Sequence, residues 1–65
     1  MSSETPEEYF GARAFGLSFS AGDGFVWADL TGRDGGVVAP RYGRGEDEAS
    51  AAASAVSRWR VEQGD

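Results

Sequence analysis

The sequence predicts an α+β fold: a three-stranded antiparallel sheet packed on one C-terminal helix in the order β-β-β-α, with a short helical turn ahead of it. Three observations carry this. Two apolar segments flank Ala21-Gly22-Asp23-Gly24, a third short apolar segment follows the glycine-rich Gly32–Gly36, and an alanine-rich tract fills 46–63.

At the N-terminus, Thr5 followed by Pro6, Glu7 and Glu8 has the form of a helix start: a cap, proline in the first turn, then acids. A turn of helix through Phe10 would end at Gly11. The organisation expected is a flexible segment over residues 1–8 and a single small domain over 9–63.

From Arg13 to Ser20 the chain alternates, with Phe15, Leu17 and Phe19 on one face and Ala14, Gly16 and Ser18 on the other, as a half-buried strand does. Asp23 and Gly24 tolerate the positive φ angles of a hairpin turn. Phe25–Thr31 returns as a second strand that is apolar on both faces: Phe25 and Trp27 share one with Asp29, and Val26, Ala28 and Leu30 share the other. Val37–Tyr42 reads as a third, shorter strand, in which Pro40 cannot donate to a ladder and prefers an edge.

The helix expected over Glu46–Gln63 would span ~27 Å at 1.5 Å per residue and dock through Ala49, Ala52, Ala53, Val56 and Trp59. Ser50, Ser54 and Ser57 fall largely on its outer side. Glu46, Asp47 and Glu48 suit the positive end of its dipole, Arg58 and Arg60 the negative end.

The 65 residues bury only about 60% of the surface the unfolded chain exposes, so stability is modest and dimerisation is a natural remedy. Cysteine and histidine are absent. That excludes disulfides, thiolate or imidazole metal sites, and Ser-His or Cys-His catalysis. The net charge of -5 argues against broad attraction to nucleic acid or anionic membrane. No apolar run approaches the ~18–20 residues that span a bilayer, and the acidic N-terminus is unlike a signal peptide, so a cytoplasmic location is expected. All six cationic residues are arginine, a codon-bias signature of a GC-rich genome, read as bacterial.

Three constellations invite functional readings. Gly43 and Gly45, in Arg41-Tyr42-Gly43-Arg44-Gly45-Glu46-Asp47-Glu48, sit where a phosphate cradle would, but Glu48 takes the place of the third glycine of a dinucleotide fingerprint. The acids also put negative charge where phosphate would lie. The pair is read as a strand-to-helix turn in which at least one glycine takes positive φ. The acidic triplet as a divalent-metal site is set aside, because successive helical residues point 100° apart. Asp23 and Asp29 offer a carboxylate pair for acid/base chemistry, but both lie in or beside turn chemistry, and no enzyme, cofactor or metal is expected.

The aromatic residues say more. One helix covers one sheet face, so either Phe25 and Trp27 or Val26, Ala28 and Leu30 look outward. An outward aromatic face is covered by the N-terminal segment, with Tyr9 and Phe10, or by another chain. The candidate interaction surface is Phe25, Trp27, Arg33, Arg41 and Arg44. It serves a protein partner or self-association in the first reading, and RNA or single-stranded nucleic acid, stacking on the rings, in the alternative.

With Asp29-Leu30-Thr31-Gly32 ending the hairpin, a glycine-flanked turn, and Glu48-Ala49-Ser50-Ala51-Ala52-Ala53 opening the helix, the chain resembles, from Phe15 to about Trp59, the small β-β-β-α domain of HicB-type antitoxins. The resemblance implies neutralisation of a toxin by protein contact. Operator binding, for which such antitoxins usually carry a further segment, is not expected of residues 1–65 alone. The element order is also similar to part of double-stranded RNA-binding domains, whose helix start is basic where this one is acidic.

Overall fold

The structure, a computed structural model, describes residues 4–64 and has the predicted architecture: a short helix, a three-stranded antiparallel sheet and a C-terminal helix. Flexibility expected for residues 1–3 lies outside the described residues.

Helix α1 spans Pro6–Gly11 and opens on a full capping box. The Thr5 hydroxyl accepts from the Glu8 N–H at 3.2 Å, and the Glu8 carboxylate accepts from the Thr5 N–H at 3.0 Å. The bond from the Thr5 backbone N–H, and after it the Thr5 side chain, hold the Glu8 carboxyl below its ordinary pKa. The helix thus takes in Pro6, Glu7 and Glu8, which the sequence placed in the N-terminal segment.

At its other end Phe15 N–H returns to Phe10 C=O at 2.8 Å and Ala14 N–H to Gly11 C=O at 3.0 Å. These are the paired bonds of a Schellman stop, and Ala14 takes the left-handed position with φ 65°. This stop corrects the first strand. Arg13 and Ala14 belong to the turn, and β1 runs Gly16–Gly22.

β1 pairs with β2 (Phe25–Thr31) from Gly16 opposite Thr31 to Gly22 opposite Phe25, with no break in register. Asp23 and Gly24 between them have φ of 54° and 79°, both positive as a type I′ turn requires. β3, Val37–Gly45, is longer than predicted because Gly43, Arg44 and Gly45 go on pairing, opposite Ala28, Trp27 and Val26. Pairing jumps from Ala28 opposite Gly43 to Leu30 opposite Ala39, so that the three residues Pro40–Tyr42 stand against Asp29 alone and bulge out of the ladder. β3 is an edge strand, as the proline demanded.

Helix α2 runs Glu48–Gln63, two residues shorter than predicted at its start, because Asp47 is the cap. Its carboxylate accepts from the Ser50 N–H at 2.8 Å, which keeps its pKa below the ordinary value. Gly64, with φ 76°, closes the other end.

Two expectations about this helix are overturned. The docking face is Ala51, Ala52 and Ala55, with Val56 and Trp59 half-buried, whereas Ala49 and Ala53 are exposed. Gly43 and Gly45 do not form the bend and neither has positive φ; both lie in β3. The physical reason is shared. A Cβ on Gly43 would stand 2.6 Å from the Ala55 backbone nitrogen and closer still to the Ala51 carbonyl, and one on Gly45 would stand 2.5 Å from the Ala51 nitrogen. The glycines are a landing strip on which the helix backbone lies directly, and they select the side of α2 that carries Ala51 and Ala55.

Leu17, Phe19, Val26, Ala28, Leu30 and Ala39 share this covered face. α1 packs on the same side, against α2 and β1. Phe10 is fully buried there, with its ring 5.8 Å from that of Trp59, which also meets Phe15 at 5.2 Å. Tyr9 and Phe10 therefore complete the core under the helices, and among the described residues no element covers the opposite sheet face.

Candidate functional site

Alternation along β2 sends Val26, Ala28 and Leu30 to the helices, so Phe25, Trp27 and Asp29 point the other way. This settles which face of the second strand looks outward. On β1 the same open face carries Ser18, Ser20 and Gly22, and on β3 Arg44 lies directly opposite Trp27.

Trp27 is the centre of the arrangement. Its indole Nε1–H donates to the Gly22 carbonyl at 2.8 Å, which fixes the ring against the hairpin end. Phe25 meets it edge-on at 6.3 Å. The Arg44 guanidinium lies 4.6 Å from the Phe25 ring centre and 5.9 Å from that of Trp27, and Arg41 lies 4.6 Å from Trp27. Cation–π attraction at exposed sites is worth ~0.5–1 kcal/mol each. Phe25 remains 38% exposed, so the cluster is open to an approaching partner.

Arg41 owes its position to the bulge. Its backbone is left-handed, with φ 50°, a conformation that disfavours a side chain. Its N–H donates to the Asp29 carboxylate at 2.7 Å, and its guanidinium pairs with Asp23 in the hairpin turn at 3.3 Å. The two aspartates offered by the sequence as an acid/base pair thus both serve to hold Arg41.

Four of the five candidate residues come together: Phe25, Trp27, Arg41 and Arg44. Arg33 does not join them. It lies in the 32–36 turn at the far end of β2 from Phe25, about 20 Å along the strand. Sequence alone could not separate Arg33 from Arg41, because the register shift that brings Arg41 back to Trp27 is a property of the bulge. Asp29 was placed on the correct face, but its role as acceptor for the Arg41 N–H had no sequence signal.

On the covered side Arg13 lies 3.7 Å and Arg60 5.5 Å from the Tyr9 ring. Arg58 pairs with Glu62 at 3.2 Å. Among the described residues no group of three or more carboxylates converges in a way that could hold a metal ion, and no helix is long and apolar enough to cross a membrane. No family model matches the chain, and no curated protein or solved structure matches it either.

Proposed function

We propose that the chain is a small cytoplasmic, bacterial protein-interaction domain without catalytic activity, which engages a protein partner through the open face of its sheet. The observation that supports this is the placing of Trp27 and Phe25, capped by Arg41 and Arg44, on the face that both helices leave uncovered. Tryptophan and arginine are the side chains most enriched where protein interfaces concentrate their energy. Two arginines against Asp23 and Asp29 leave the patch neutral, so the chain's excess of five negative charges resides elsewhere. A partner meets little electrostatic resistance there. The HicB-type resemblance implies that this partner is a toxin protein.

Base stacking, the alternative, would have to displace guanidinium groups that already lie over both rings. The test is capture from an extract of the source organism with wild type, Trp27→Ser and Arg44→Glu side by side. A protein held by wild type and lost by both variants supports the proposal. A protein retained equally by all three overturns it, and recovery of RNA with a steep salt dependence replaces it with the nucleic-acid reading.

A further inference from the structure

We propose that the outer edge of β1 receives a second copy of the chain, paired antiparallel about Phe19 so that one sheet runs through both copies. The inference starts from a contrast between the two sheet edges. β3 is blunted by Pro40, by its bulge and by two arginines, the devices by which edges refuse further strands. β1 has none of them. Gly16–Gly22 contains no charge and no proline, and its register with β2 is unbroken over the whole strand.

The type I′ turn decides which groups the edge presents. Such a turn closes on a hydrogen-bonded pair, Gly22 with Phe25, and alternation then points the N–H and C=O of Leu17, Phe19 and Ala21 away from β2. No hydrogen bond among the described residues reaches those outward groups. A second β1 centred on Phe19 would satisfy them reciprocally. It would set Leu17 against Ala21 of the second copy, large beside small, and Ser18 against Ser20 of the second copy, hydroxyl beside hydroxyl.

The strand is thus complementary to itself, which is what selects a second copy over a foreign strand. The strand itself adds no charge to the meeting of two molecules of net charge -5, and the repulsion that remains comes from its flanks. Glu7 and Glu48 line the groove beside Phe19 and oppose approach at low salt. The twofold axis of such a pair stands perpendicular to the sheet, so the Trp27 clusters of both copies emerge on one surface. This inference is independent of the proposed partner.

Edge pairing buries less than a standard interface, so the dimer is expected in sedimentation velocity between roughly 10 µM and 1 mM. Its population should rise from about 50 to about 500 mM salt as repulsion is screened. The double variants S18K/S20K and S18E/S20E put like charges opposite each other in this register. Both serines are exposed, so each variant should keep the wild-type circular dichroism and stay monomeric. An equimolar mixture of the two should dimerise again, and Trp27→Ser should dimerise like wild type. A wild-type chain that stays monomeric to 1 mM at both salts overturns the proposal. So does dimerisation of both double variants on their own. Loss of the dimer in Trp27→Ser with its retention in the double variants would move the contact to the open face and also refute the β1 edge.

Discussion

The two faces of the sheet are built on opposite rules. Beneath α2 the sheet is made of near-absent side chains: Gly43 and Gly45 on β3 and Ala28 on β2 meet Ala51 and Ala55. The bulky groups of that side, Phe10, Leu30, Tyr42 and Trp59, pack around this contact. The open face instead carries its largest residues at the centre and, among the described residues, covers them with guanidinium groups. The covered face is arranged for close backbone contact, where one methyl group is too many. The open face tolerates change, because solvent can receive what is altered.

The largest effect should therefore come from the smallest substitution. Gly43→Ala places a Cβ against the backbone of Ala51 and Ala55, which cannot turn aside as a side chain tip would. The helix must lift from the sheet, and we expect a loss of ~3 kcal/mol or more in urea denaturation, a large part of the ~5 kcal/mol typical of small domains. A loss below ~1 kcal/mol would show that α2 has slack against β3, and the contrast between the faces would fail.

The two tryptophans offer the next comparison. Trp59 is half-buried and meets the rings of Phe10, Phe15 and Tyr42. Trp59→Ala is expected to cost ~2–3 kcal/mol, below the range for a fully enclosed ring. Trp27→Ser should cost ~1 kcal/mol or less, since its ring lies on the open face. Equal losses measured in the same denaturant series would mean that the open face supports the fold as much as the core does.

The covered face also has a pH signature. Burial first, and then the hydrogen bond to Glu62, push the Tyr42 phenol up to about 12. The Glu62 carboxyl is held below its usual value chiefly by accepting that bond. Because the folded pKa of Tyr42 exceeds the unfolded value of about 10, its contribution is fully present below pH 10 and is lost as pH rises towards 12. The carboxyl has the opposite sign, and its contribution fades as pH falls below about 5. Tyr42→Phe should flatten the alkaline limb of stability measured from pH 9 to 12. An unchanged limb would assign alkaline unfolding to other groups.

These contrasts were legible in part. The element order, the Asp23-Gly24 hairpin and the Thr5 cap all rest on local chemistry that a short window reveals, and the structure has them where the sequence placed them. The docking face of α2 was not legible. Alanine occupies 49, 51, 52, 53 and 55, so nearly every direction around the helix is small and apolar, and periodicity cannot choose among them. The choice is made by Gly43 and Gly45, whose lack of side chains reads equally as turn or as close packing until a partner element is in place. The candidate site was half-legible for a related reason: alternation put Phe25 and Trp27 together, but Arg41 reaches them through a bulge that breaks alternation.

Arg41 gives the comparison its finest test. Its left-handed backbone costs roughly 1 kcal/mol that glycine would not incur. Against this stand an exposed ion pair with Asp23, worth ~0–1 kcal/mol, and the contact with Trp27, worth ~0.5–1. The N–H bond to Asp29 survives substitution, being a backbone bond. Arg41→Gly should thus leave stability within ~1 kcal/mol of wild type while abolishing capture of the partner. Strain retained at a position where glycine would serve the fold equally well points to a side chain kept for contact with something outside the chain. A loss above ~1.5 kcal/mol in the same urea series would instead make Arg41 a structural clamp of the hairpin, and the open face would owe its arginine to folding.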